Sequence, residues 1–215
     1  MTESNSPTAL DWDTLHGFYT NIAEQLHKAG IKSLTTGGIA CVRYGITQST
    51  KDCDIIIPIA SAAEVIEILA RAEIHHQRCH LTLKYGAPLH RRWLEGGWIS
   101  HTYFGQPEQP LARLDLFGKP PRMRSTTADE NPYYLSRDGF ARMKKTRREK
   151  DWAYANLLGL QMLEQREIAG ILHITDAKKL REICQSSDIE WSLSNQRPLL
   201  KLAIEKDPRL DLLQV

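Results

Sequence analysis

The sequence predicts an α+β fold, and three observations predict it. An amphipathic helical stretch opens the chain, strand-like runs recur between residues 31 and 117, and no convincing strand follows Phe140. Leu15, Phe18, Tyr19, Ile22 and Leu26 recur at helical spacing within Leu10–Ala29, and Gly30 stops that helix. Ile31–Thr36 reads as a short strand that runs into Gly37 and Gly38, with Ile39–Tyr44 as a helical turn or two stopped by Gly45. Cys53–Ile57 is rich in strand formers and bounded by Pro58. Ser61–Ala72 reads as a helix with Ser61 and Glu64 at capping-box spacing. His80–Tyr85, Trp98–Phe104 and Arg113–Phe117 are further strands. The last of these sets Arg113, Asp115 and Phe117 on one face and Leu114 and Leu116 on the other.

Gly118–Pro132 reads as a loop, and the helical patterns beyond it are Lys150–Gln165, Thr175–Cys184 with Thr175 as cap, and Pro198–Glu205. The expected organisation is an α+β domain over residues 1–135 and a helical C-terminal region over 136–215 packed on it. With 215 residues, 41% hydrophobic and 25% charged, the chain is long enough to bury a real core but too short for two independent full-size domains. Met1–Leu10 has no apolar segment after a basic one, no run is long enough to span a membrane, and Cys41, Cys53, Cys79 and Cys184 lack paired spacing. Reduced thiols in a cytoplasm, and no membrane partner, are the expectation.

The net charge of +2 hides an asymmetry: Arg113–Lys150 carries an excess of six positive charges, and the rest of the chain an excess of four negative ones. Such a stretch is either a solvated helix face or a surface that attracts phosphates. His90, Arg91, Arg92 and Trp93 form a second basic and aromatic group; His75 and His76 lack further ligands at metal spacing and receive no role.

Three features carry candidate chemistry. Strand alternation sets Asp52 and Asp54 on one face, about 7 Å apart along the chain, as oxygen donors for a hard divalent cation. Asp115, flanked by Leu114 and Leu116, is a carboxylate beside a buried face, to be compensated by a cation or a basic neighbour. Gly37 and Gly38, after Thr35 and Thr36, form a turn that lets the backbone approach phosphate oxygens closely. No Walker lysine or G-x-G-x-x-G accompanies them, so a P-loop or Rossmann site is not supported.

Taken together, Gly37-Gly38-Ile39-Ala40, Arg43-Tyr44-Gly45, Thr50-Lys51-Asp52-Cys53-Asp54 and Arg148-Glu149-Lys150-Asp151 resemble the signature stretches of the polymerase-β-type nucleotidyltransferase superfamily. The likeness is to its small bacterial members, the AbiEii-like abortive-infection toxins and the antibiotic nucleotidyltransferases, and covers roughly Leu34–Leu158. The resemblance implies a nucleotidyltransferase-like mixed β-sheet flanked by helices. It implies that Asp52, Asp54 and Asp115 are catalytic and hold two Mg²⁺ ions, and that Thr36, Gly37, Gly38, Lys51 and Lys150 bind the nucleotide, an NTP such as ATP. It implies transfer of an NMP to a hydroxyl on RNA, a protein or a small molecule, with an antitoxin as partner if the protein is a toxin. Gln48 stands where related sequences often carry arginine, leaving Lys51 or Arg43 to make that phosphate contact. The alternatives are a non-catalytic nucleotide- or partner-binding module and an antibiotic-modifying enzyme, the latter disfavoured by the basic stretch.

Overall fold

The computed structural model describes residues 10–106, 109–186 and 191–212. The polar segment Met1–Leu10 noted above lies almost wholly outside them. The chain divides into two compact units: one formed by the described residues up to Pro121 with Thr127–Leu135, the other by Arg122–Thr126 with the residues from Ser136 onward.

The first unit opens with α1 (Trp12–Lys28), capped by Asp11, whose side chain accepts from the Thr14 amide at 2.8 Å. Gly30 in the left-handed region (φ 81°) then turns the chain into β1 (Leu34–Thr36). The helix α2 (Gly37–Arg43) follows directly, and β2 (Asp52–Ile56), α3 (Ala62–Leu69), β3 (Glu73–Ile74) and β4 (Gln77–Arg78) come next. His75 and His76, both at positive φ, make the β3–β4 turn. The unit continues with β5 (Leu81–Gly86), α4 (Arg91–Glu95), β6 (Ile99–Gln106) and β7 (Gln109–Phe117).

Five strands form a mixed sheet in the order β1-β2-β7-β6-β5, in which only the β2–β7 pair is parallel. One face is the core: Cys53, Ile55, Leu114 and Leu116 pack with Phe18, Ile22 and Leu26 of α1 and Val65 and Leu69 of α3. Phe18 meets Phe104 edge to face at 4.9 Å, a geometry that aromatic rings prefer. Tyr19 ties this layer to the sheet. Its hydroxyl accepts from the Arg113 amide at 2.9 Å and lies 3.0 Å from the Lys51 carbonyl and 2.9 Å from that of Arg113, so one buried side chain fastens the start of β2 to β7.

The second unit is helical: α5 (Arg137–Met143), α6 (Glu149–Glu164), a 3₁₀ turn over Ile168–His173, α7 (Ala177–Ser186), α8 (Trp191–Gln196), α9 (Leu199–Ile204) and a 3₁₀ turn over Pro208–Leu212. Ile171, Leu172, Ile174, Leu180, Leu193, Leu200, Ala203 and Leu210 form its own core. No helix among the described residues is long and apolar enough to cross a membrane, and all four cysteines are free thiols.

Two cap expectations fail. Ser61 makes no side-chain cap bond, because a 3₁₀ turn over Ile59–Ser61 leads into α3 and leaves Ser61 at φ −89°, ψ 7° instead of the extended dihedrals an N-cap needs. At α7 the cap is Asp176, not Thr175: its carboxylate accepts from the Lys179 amide at 2.7 Å, the stronger acceptor taking the orphan N–H. The sequence reading also misses α4, α5, α8 and the β3–β4 hairpin, which are too short to show a period.

Candidate active site

Register assembles the site. Thr36 pairs with Asp54 across β1–β2, Asp54 with Asp115 across β2–β7, Asp115 with His101 across β7–β6, and His101 with Tyr85 across β6–β5. These five residues form one row across the sheet, on the face opposite the core. A second row on that face joins Asp52, Arg113, Tyr103 and Thr82. The three carboxylates expected from the sequence are therefore neighbours, although Asp115 is far from the other two along the chain.

The glycine turn lies directly against them. Gly37 has φ 62°, and a β-carbon there would stand 1.4 Å from Asp54 Oδ2; one on Gly38 would stand 2.1 Å from Thr50 Oγ1 and 3.0 Å from the Asp52 carbonyl oxygen. Only hydrogen leaves room for both approaches. Thr50 in turn orders the start of β2, its hydroxyl accepting from the Asp52 amide at 3.3 Å. Thr36 is buried at the junction of β1 and α2, and Lys51 is exposed just before β2. Lys150 is exposed in the first turn of α6, in the second unit. Asp151 beside it is fully buried, accepting from Thr146 at 2.6 Å and Arg148 at 2.7 Å, with Lys144 at 3.8 Å. Burial alone would raise the Asp151 carboxyl, but those partners outweigh it and hold the group below its ordinary range.

Each outer carboxylate has a cationic or imidazole neighbour. His101 Nδ1 lies 2.8 Å from Asp115 Oδ2, off the line of a good hydrogen bond, and Arg113 lies 3.6 Å from Asp52. The Tyr85 ring stacks on His101 at 4.1 Å between centroids and 23° between planes, with Lys84 5.6 Å above the tyrosine. Burial raises the Asp115 carboxyl above its ordinary value; His101 and Lys84 oppose that rise and Asp52 adds to it. Burial also pushes the Cys53 thiol well up, with Asp54, Asp115 and Asp52 each adding to the rise, so Cys53 registers all three carboxylates from the core side of the sheet. Beside the rows is a cleft of about 240 Å³ lined by Leu83, Lys84, Tyr103, Pro110 and Arg113.

No three His, Cys, Asp or Glu side chains among the described residues converge on a single metal-sized centre. The donor set nonetheless suits a hard cation: two carboxylates directly opposite one another repel unless a positive charge lies between or beside them, and a third stands two residues along on the same face. Arg43, a substitute for the arginine absent at Gln48, pairs instead with Asp129 at 3.8 Å and lies over the Tyr134 ring. His101 and Tyr85 are the site residues that sequence reasoning missed; Arg113, which alternation sets on the Asp115 face as its basic neighbour, pairs instead with Asp52. Alternation alone sets His101 on a strand face, but nothing local reveals which strand lies opposite.

No family model matches this sequence, and no curated protein matches it. Among solved structures, an antigenic nucleotidyltransferase-like protein from Paracoccidioides brasiliensis is similar over 92% of this chain and 95% of that one, at 15% identity and a TM-score of 0.39.

Proposed function

We propose that this protein is a Mg²⁺-dependent nucleotidyltransferase that moves a nucleoside monophosphate from an NTP to a hydroxyl acceptor. The observation that carries the reading is the glycine turn seated on Asp54, with Asp115 directly opposite in the parallel strand. It supports a surface where bare backbone and carboxylates meet, which is what a metal-bound polyphosphate requires. Asp52, Asp54 and Asp115 are the residues to hold two Mg²⁺ ions, which when bound supply charge neutralisation around the reacting phosphoryl group. Gly37, Gly38 and Thr36 receive the triphosphate, and Lys51, exposed just before β2, is the cation assigned to its outer oxygens. The acceptor hydroxyl attacks the α-phosphorus, the α–β phosphoanhydride bond breaks, and pyrophosphate leaves. Asp115, directly opposite Asp54 in the parallel strand, takes the hydroxyl proton.

Arg122, Arg124, Arg147 and Lys150, exposed members of the basic stretch in the second unit, support an anionic acceptor such as RNA over a cationic drug, and with it a toxin role that an antitoxin would restrain. The test is incubation of the purified chain with each labelled NTP and Mg²⁺ in cell extract, followed by identification of the labelled molecule. Wild type is expected to label one class of acceptor and Asp54→Ala none; undiminished labelling by Asp54→Ala would refute the assignment. Growth arrest on expression, relieved by Asp52→Ala, supports the toxin role, and its absence counts against it. A second reading, a non-catalytic module that binds nucleotide or a partner, is favoured by the engagement of Asp115 by His101 and Asp52 by Arg113. Metal-dependent turnover of any NTP excludes it.

A further inference from the structure

The second unit contains a cleft of about 260 Å³ that the proposed transfer reaction does not use. Several separate segments line it: Arg142 of α5, Lys145 just beyond it, Trp152 of α6, His173 of the 3₁₀ turn, and Arg197 after α8. Lys145 Nζ donates to the Leu172 carbonyl at 2.8 Å, and Arg197 donates to that of Ile171 at 3.0 Å, so main-chain oxygens hold both cations in position without neutralising them. Arg142 does reach a carboxylate, Asp138 at 2.9 Å, but the same carboxylate also lies 2.9 Å from His173 Nε2.

The charges do not balance. Burial lowers the pKa of His173 and favours its neutral form, and its Nδ1 is enclosed with no hydrogen-bond partner. Among the described residues three cations then face one carboxylate, an excess of two positive charges in a partly desolvated space. Lys145 registers the imbalance: burial, then Arg197 and Arg142, bring its ammonium down to about 8, and Asp138 is the counter-charge opposing them. Burial likewise lowers Arg197. Gathering like charges in a cleft costs stability unless an anion compensates it.

We propose that this cleft binds a phosphomonoester dianion carried on a small nucleotide, the phosphate among Arg142, Lys145 and Arg197 and the ring against Trp152. Charge selects the ligand class: a phosphomonoester carries about −1.5 to −2 at neutral pH and cancels the excess, whereas a carboxylate leaves half of it. Arginine forks suit phosphate oxygens, and Trp152, 39% exposed, supplies an aromatic wall. The volume lies just below the roughly 300–1,000 Å³ of drug-sized sites, which suits a mononucleotide or its phosphate end.

The full chain, without divalent metal and at fixed ionic strength, is titrated calorimetrically with AMP, inorganic phosphate, adenosine and acetate. AMP and phosphate are expected to bind, with AMP the tighter, and adenosine and acetate at least tenfold more weakly than AMP. Lys145→Gln and Arg142→Gln, each checked for an unchanged circular dichroism spectrum, should each weaken AMP at least tenfold; two variants guard against a folding failure in one. Asp54→Asn, in the other unit, should bind AMP as wild type does, so failure of the transfer reaction and failure of this site are separate results. The proposal is overturned if AMP and phosphate do not bind, if adenosine or acetate matches AMP, if the folded variants bind AMP normally, or if Asp54→Asn abolishes binding.

Discussion

Replacing Gly37 by alanine tests the geometry on which the catalytic reading rests. The new β-carbon would stand 1.4 Å from Asp54 Oδ2 and 2.4 Å from its Cγ, so about 2 Å of movement is needed to restore ordinary contact. Asp54 lies in β2, held between β1 and β7, and cannot move as a flexible surface side chain would. The backbone must also keep φ 62° with a side chain attached, at roughly 1–2 kcal/mol, and overpacking adds roughly 1–3 kcal/mol. The expected loss is therefore about 2–5 kcal/mol, a lowering of the urea midpoint by about 1–2.5 M at an m-value of about 2 kcal/mol/M. Two controls separate the contributions. Gly45 has φ 68° with nothing within 4 Å of a β-carbon, so Gly45→Ala carries only the backbone cost of roughly 1–2 kcal/mol. Gly17 is exposed within α1 with equally open space, so Gly17→Ala should stabilise by roughly 0.5–1 kcal/mol. Urea unfolding of the three variants gives the ranking. A Gly37→Ala loss equal to that of Gly45→Ala would show that the Asp54 carboxylate does not lie against the turn.

His101→Asn keeps a donor near the Nδ1 position and should retain most nucleotide turnover, while His101→Gln, which moves the donor outward, should lower kcat roughly 10–100-fold; equal activities would remove His101 as the residue orienting Asp115. Tyr19→Phe leaves the buried Arg113 amide without its acceptor and should lose about 1–3 kcal/mol in chemical unfolding, against near-neutrality if water reaches that amide. Acid should weaken the second unit. Burial lowers His173 from its ordinary 6.5, so the unfolded chain takes up the proton first and stability falls as pH drops below that value. Burial opposes ionisation of Asp138, but bonds from His173 and Arg142 outweigh it and hold the carboxyl well below its ordinary 3.8, so its contribution is lost as pH falls below that. Calorimetric melting should show a Tm that declines from pH 7 to pH 4, with the decline below 6.5 flattened in His173→Gln; a flat wild-type profile contradicts the assignment.

Much of this molecule is local and therefore legible in the sequence. The spacing of Leu15, Phe18, Ile22 and Leu26 makes α1, paired glycines after a strand make the turn at Gly37, and alternation sets Asp52 and Asp54 on the face opposite Cys53 and Ile55. Those outcomes depend on neighbours within a few residues. Cap residues were less legible, since the 3₁₀ turn before α3 denies Ser61 its cap and the Asp176 carboxylate outcompetes Thr175 for the α7 amide. The basic stretch was legible as charge but not as a surface. In the fold it divides among an Asp138 pair at Arg142, the buried Asp151 cluster of Lys144 and Arg148, and the cleft cation Lys145.

Only the tertiary structure decided that β2 lies parallel to β7 with Asp54 opposite Asp115, that His101 completes the row, and that Arg197 joins Lys145 and Arg142 around a cleft. Pairing register is set by burial of the whole opposite face, because a slip of one residue would turn Cys53, Ile55, Leu114 and Leu116 outward and the carboxylates inward. The sequence by itself determined which groups face away from the core; packing of the core determined which of them meet.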